Sequence, residues 1–253
     1  MTALTSTLVE ICSAGAGRAW TDQCLAMPQW AQMAQYRTRY AALQSTLDEV
    51  ERRLQEGQDC HLCVLTPDAI RSLQTRWSDR IEWLGSLGQA DTGWVALAGD
   101  DHAYPVSTAQ ALRQTLISLD VLLVPDLQQS SGGRHLQSVL AQLAIPASEM
   151  PAVLSYAGGA QAVAALTAHA GQRVMACAQS TEVQAASHAH YLGPFPAPHD
   201  LSTEYAVAAV RPHPDNHDPE AQTAWSVACD LGRYLCSPSQ QAMRLALGFA
   251  CVS

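Results

Sequence analysis

Two short stretches carry residue types that could hold a negatively charged group. The first, Thr7–Trp20 (TLVEICSAGAGRAW), runs from an apolar, β-rich segment into a turn built from Ser13, Ala14, Gly15 and Gly17. The second, Val124–His135 (VPDLQQSSGGRH), repeats the order strand, Ser/Gly turn, helix start around Ser131 and Gly132. A strand followed by Gly15-Ala-Gly17 opens like a dinucleotide-binding turn, but that device needs a third small residue and an acid about 20 residues on. Trp20 fills the third position, and Ala41-Ala-Leu-Gln44 rather than an acid follows the second strand. The dinucleotide reading fails.

What survives is a set of unpaired backbone N–H groups and a hydroxyl at the positive end of a helix dipole. Such a site suits a small oxyanion or carboxylate, each exposed dipole contributing about 0.3–1 kcal/mol. Any one such turn, taken alone, reads as a tight turn that binds nothing. The device recurs, however: Ser45-Thr46, Gly158-Gly159 and Gln179-Ser180-Thr181 add donors at strand ends. In open α/β sheets, ligands sit outside the carboxyl ends of strands. Two units offering such edges would form a clamp that closes on a ligand.

Other constellations point elsewhere or nowhere. Cys60 and Cys63 on one strand would face opposite ways, and no second Cys/His pair lies at zinc spacing. His188, His190 and His199, and the pair His213 and His217, fall in connecting stretches and read as surface residues. No Gly-x-Ser-x-Gly elbow occurs, and nothing beside Ser131 selects a base for a hydrolase or transferase. Trp77 and Trp83 read as packing residues, with lining of a cleft the alternative. All 14 basic residues are arginine, so Schiff-base lysines and Walker-A loops are excluded. No cofactor is expected.

The elements that would position these turns alternate between strand and helix periods. Strands are expected at 8–12, 36–40, 60–65, 94–98, 120–124, 173–177 and 204–210. Helices are expected from Arg18 to about Gln35 with an interruption at Pro28, at 47–54 capped by Ser45 or Thr46, and from about 108 to 117. Further helices should follow the 128–133 turn, open at Gly158-Gly159, and close the chain at about 220–236 and 238–247. The Pro-rich stretch 193–198 reads as a loop. This βαβαβ order predicts parallel sheets covered by helices. Two α/β units result, residues 1–98 with 207–253 and an inserted 99–206.

At 253 residues, 48% apolar and 15% charged, the chain has ample material for its cores. The net charge of −9 disfavours nucleic-acid binding. The longest apolar runs, such as Val121–Val124, are too short to insert in a membrane. Eight scattered cysteines read as reduced core thiols. The first residues show no basic stretch followed by an apolar segment, so the expectation is a cytoplasmic protein if complete, or a periplasmic one whose export signal was removed.

Ser131-Gly-Gly-Arg-His-Leu136, Val139–Ile145, Ala160–Leu166 and Ala176–Val183 together resemble the second lobe of type-2 substrate-binding proteins of ABC importers, in the molybdate-binding-protein-like branch. Arg53–Gly57, Cys63–Ile70 and Leu192–Pro196 are similar to other parts of that family. The resemblance implies a two-lobed α/β fold, each lobe a mostly parallel sheet flanked by helices, joined by two crossing strands. It implies a small oxyanion, or a small organic anion, held in an interlobe cleft and delivered to an importer permease, with no catalysis. Carried over by position, the ligand donors would be Ser13, Ala14, Gly15, Ser45, Thr46, Ser131, Gly132, Gln179, Ser180 and Thr181. Gln179 stands where the family carries a tyrosine, which sets molybdate itself in question. A sensor or regulatory binding domain of the same fold is the alternative.

Overall fold

A computed structural model describes residues 7–128 and 130–252; residues 1–6, Gln129 of the 128–133 turn and Ser253 lie outside the description. The chain divides into two compact units. One takes the chain up to Gly88, Glu204–Leu245 and Cys251 onward; the other takes Gln89–Thr203 and Ala246–Ala250.

The first unit opens with β1 (Leu8–Ala14), a 3-10 turn at Gly15–Gly17, and α1 (Arg18–Leu25). Proline at position 28 cannot continue α1, so the chain restarts as the one-turn α2 (Pro28–Ala31) with proline at its first position. Next come β2 (Gln35–Ala41), α3 (Leu43–Glu56), β3 (Leu62–Leu65), α4 (Pro67–Arg76) and the long β4 (Ile81–Leu97). Gly57 ends α3 in the left-handed region (φ 67°), and Thr66 caps α4 through its side chain.

The chain continues through α5 (Ala109–Ile117), β5 (Val121–Pro125), α6 (Ser131–Gln142), β6 (Ala152–Tyr156), α7 (Gly159–Ala165), β7 (Val174–Gln179), α8 (Ser180–Gln184) and β8 (Ala189–Pro194). It closes with β9 (Ser202–Val210), α9 (Pro219–Cys236), α10 (Gln241–Ala246) and β10 (Phe249–Ala250).

In the first unit the strand order is β2-β1-β3-β9-β4. β1 runs parallel to both β2 and β3, whereas β9 returns antiparallel to β3. In the second unit the order is β4-β7-β5-β6, parallel among β7, β5 and β6, with β4 antiparallel to β7. Both sheets are therefore mixed at the strand that carries the chain from unit to unit and parallel elsewhere.

Strand alternation sorts the cores. In the second unit Trp94, Leu122, Val124, Met175 and Cys177 pack on one face with Leu112, Leu116, Leu136 and Phe195. Val95, Val121, Leu123, Val174, Ala176 and Ala178 pack on the other with Ala162 and Val163 of α7 and with Leu166 just after it. Each buried Val, Leu, Met or Phe among them contributes about 1.5–3 kcal/mol by leaving water. In the first unit, one face gathers Cys12, Cys63, Leu65, Ala206 and Ala208 under α3 and α4.

The structure corrects several expectations. Ser45 and Thr46 do not cap α3, which starts at Leu43 after Ala42; both fall in its first turn, because the Leu43 and Leu47 positions face the core. Residues 81–93, 152–156 and 189–194 are strand, where no strand or only a loop was expected. Gly-x-x-Gly spacing and exposed apolar residues masked the alternation there. Cys60 precedes β3, so the two-residue period does not reach it, and Cys60 and Cys63 share one cluster with Cys12 instead of diverging.

Candidate anion-binding site

In the first unit the donors gather where β1 ends. Ser13 is fully buried, and its hydroxyl donates to the Ala14 carbonyl at 2.9 Å. It sits under the 3-10 turn so closely that a Cβ on Gly17 would stand 2.7 Å from Ser13 Oγ and 2.9 Å from Val64. Glycine at 17 is what lets the turn fold back on the strand. Thr46, also buried, donates to the Ala42 carbonyl at 3.0 Å and reaches the Ser13 carbonyl at 3.4 Å. It ties α3 to β1. The hydroxyls of Ser13 and Thr46 are thus spent on backbone carbonyls, while Ser45 is exposed and the half-buried Gly15 opens the 3-10 turn.

Charge lies beside this edge that the sequence reading did not count. Arg18, the first residue of α1, is 3.5 Å from Asp22, and its guanidinium stands 5.3 Å from the Tyr40 ring centre. Tyr40 is the register partner of Ser13 on β2 and donates to Asp22 Oδ1 at 2.5 Å. Burial, then the bond to Asp22, pushes the Tyr40 phenol up, so it remains a neutral donor. Nothing in the local spacing singles out Arg18 or Tyr40; the β1–β2 register brings them together.

In the second unit the donors collect at the ends of β5 and β7. Ser130, not Ser131, caps α6, its hydroxyl accepting the Gly133 N–H at 3.1 Å. Gly133 is required because a Cβ there would overlap the Asp126 carbonyl. Ser131 is exposed at the first helical position, and Gly132 faces Thr92, whose methyl would lie 3.8 Å from a Cβ at 132. Thr92 on β4 is the register partner of Gln179. Gln179 caps α8 through a reciprocal arrangement with Glu182, whose carboxylate accepts the Gln179 N–H at 3.1 Å.

The three residues at 179–181 behave differently. Ser180 accepts the Asp91 N–H at 3.2 Å and donates to the Gly248 carbonyl at 2.7 Å, so it joins α8, β4 and the returning chain. Thr181 is 2% exposed and Thr92 1%, yet neither hydroxyl has a hydrogen-bond partner among the described residues. A buried hydroxyl left unmade costs about 1–3 kcal/mol, so two of them at one sheet edge call for an explanation.

The Gly158-Gly159 turn already holds a carboxyl group of the protein's own. The Glu182 carboxylate receives the Ala160 N–H at the start of α7 as well as the Gln179 N–H. Burial pushes its carboxyl upward against the pull of those two N–H groups. The N-termini of α7 and α8 thus meet on one side chain.

His135 and His188 each face a backbone carbonyl, and His199, expected at the surface, is buried. His135 Nε2 lies 2.7 Å from the His199 carbonyl and His188 Nε2 lies 3.1 Å from the Val163 carbonyl. Among the described residues, no three His, Cys, Asp or Glu side chains are grouped to hold a metal. Trp77 packs partly against the first unit's core, whereas Trp83 is 40% exposed. No helix among the described residues is long and apolar enough to cross a membrane.

No protein-family model matches the sequence, and no curated protein matches it either. Solved structures do match in fold. The substrate-binding domain of a putative molybdenum ABC transporter from Clostridium difficile superposes with a TM-score of 0.65 at 12% identity, over 98% of this chain and 100% of that one. The sulfate-binding protein SubI from Mycobacterium tuberculosis gives 0.62 at 14% identity, over 98% and 88%. The bromide-bound regulatory domain of HypT from Salmonella typhimurium gives 0.54 at 14% identity, over 96% and 99%. The fold is that of the type-2 periplasmic binding proteins.

Proposed function

We propose that this protein is a receptor for a small oxyanion, held by neutral donors and serving as the substrate-binding component of an importer. The observation that carries this reading is the pair of buried hydroxyls, Thr181 in the first turn of α8 and Thr92 opposite Gln179 on β4, neither with a hydrogen-bond partner among the described residues. An oxyanion accepts several hydrogen bonds at once and gains from helix N-termini, so it is the guest that such donors suit. Ser131 and Gly132 add N–H groups from α6, and Gln179 stands at the same strand end. In the first unit, Ala14, Gly15 and Ser45 offer a second edge, with Ser13 and Thr46 fixing its backbone.

The likeness of fold to molybdenum- and sulfate-related binding proteins supports an oxyanion over a larger ligand. The net charge of −9 gives no long-range attraction for anions, so capture rests on local dipoles. A second reading, a sensor domain, is favoured by the likeness to the HypT regulatory domain, which was solved with a bromide ion. Both readings share one test. Thermal unfolding is followed with molybdate, tungstate, sulfate and phosphate, where a ligand at a hundred times its dissociation constant adds about 2.7 kcal/mol. Absence of any shift with all four anions refutes the receptor reading.

A further inference from the structure

A pocket lies where β4 starts and β9 ends, at the end of the first unit's sheet opposite Ser13. Here Ser78, Asp79, Arg80, Ile81, Glu82 and Arg211 line a pocket of about 300 Å³. Arg80 is only 9% exposed, and it has no carboxylate within ion-pair distance among the described residues. Its Nε donates to the Arg211 carbonyl at 2.5 Å, and the Arg211 N–H donates to the Arg80 carbonyl at 2.7 Å. The first bond ties the guanidinium to the backbone, and the second pairs the two backbones beside it. No hydrogen bond from the terminal nitrogens Nη1 and Nη2 to a described residue accompanies the Nε bond, neither nitrogen is among the sealed, unpartnered atoms, and Arg80 is one of the residues lining the pocket.

A buried arginine without a countercharge is costly unless something supplies acceptors. The other arginines of this region are provided for. Arg211 reaches Glu82 at 3.4 Å and stacks on Trp225 at 4.9 Å, and Arg233 reaches Glu82 at 3.1 Å. Glu82 is thereby engaged twice, and Asp79 is exposed beside Ser78. Burial alone works to lower the pKa of the Arg80 guanidinium, while Cys60 and Asp59 oppose it from a distance.

We propose that this pocket binds a small organic monocarboxylate, whose two oxygens seat on the fork of Arg80. The planar guanidinium matches a carboxylate with two parallel hydrogen bonds. Asp79 and Glu82 in the lining repel a doubly charged oxyanion more strongly than a single charge. The pocket volume leaves room for a carbon skeleton beyond the carboxylate. The site is independent of the oxyanion site proposed above and stands whether or not that one does.

The test is a titration of the intact protein with butyrate, and separately with inorganic phosphate, followed by backbone amide chemical shifts. Saturable butyrate shifts confined to residues 78–82 and 211, tighter than any phosphate response there, are expected. Arg80→Gln should weaken butyrate binding at least tenfold and Arg80→Lys should weaken it less, while Thr92→Val leaves it unchanged. Butyrate shifts that are absent at 78–82, linear without saturation, or matched by phosphate overturn the proposal. Should Arg80→Gln not fold, the wild-type shift map alone decides it by the same criteria.

Discussion

Glu182 and Gly159 lie in such close approach that any side chain at 159 would overlap Glu182 Oε2, while Ala178 stands 3.1 Å from the same point. Glycine is therefore what allows α7 to begin on the Glu182 carboxylate. Gly159→Ala should lower stability by about 1–3 kcal/mol through overpacking. Urea denaturation measures it, and a variant as stable as the parent would show that the carboxylate is free to move aside.

Thr92 and Thr181 give the sharpest test of the oxyanion reading. Replacing either by valine removes a hydroxyl that has no partner among the described residues and keeps the shape, so the ligand-free protein should gain about 1 kcal/mol. Oxyanion affinity should fall in the same variants. Calorimetry and denaturation together read the two effects; a loss of stability with unchanged affinity would make both residues ordinary core positions.

Ser180 should behave in the opposite way. Ser180→Ala strips the Asp91 N–H and the Gly248 carbonyl of their shared partner, at a cost of about 1–3 kcal/mol. Hydrogen exchange at the Asp91 amide should accelerate. Protection at Asp91 equal to that of the parent protein would mean that the bridge contributes nothing.

Acid should act partly through Glu49. Its hydrogen bonds to Arg52, then to Arg53, lower its carboxyl from 4.5 to about 2. A carboxyl lowered in the folded state contributes stability above its unfolded value, and that contribution fades as pH falls from 4.5 toward about 2. Glu49→Gln should be less stable than the parent at neutral pH and show a flatter acid limb across that window. Parallel curves for the two proteins would contradict it.

Thiol reactivity should single out one cysteine. Cys251 is exposed, whereas burial pushes the Cys24 and Cys63 thiols up to about 12 and Cys177 higher still. A thiol reagent added to the folded protein should label Cys251 first, as peptide mapping would reveal. Equal early labelling of Cys63 would mean that the first unit opens readily.

The sequence exposed the fold through its periods. Leu8–Cys12, Tyr36–Tyr40 and Val121–Val124 alternate or run apolar between turn residues, and each is a strand at nearly the expected bounds. The strand at 81–93 stayed hidden because Gly85, Gly88 and Gly93 interrupt its pattern; Gly93 is needed where the Gly193 backbone crosses it. That omission also hid Thr92, which no local motif announces and only the β4–β7 register places beside Gln179. The turns were legible as turns, but which hydroxyl does what was not. Ser130 and Ser131 are neighbours of identical type, and only the direction of the chain entering α6 makes the first the cap. Arg80 offered no signal at all, because a lone arginine before a strand looks like surface until β9 covers it.

The uneven division of the chain has a consequence for how the molecule assembles during synthesis. All but five residues of the second unit come from one uninterrupted run, Gln89–Thr203. The first unit is different, since β3 gains its antiparallel neighbour only when β9 has been made and α9 only later still. Translation therefore delivers a nearly whole second unit while the earlier-made β1, β2 and β3 still wait for the partner that completes their sheet. For that interval the nascent chain carries its oldest strands with an apolar margin open, and a ribosome pausing between residues 203 and 236 would prolong the exposure.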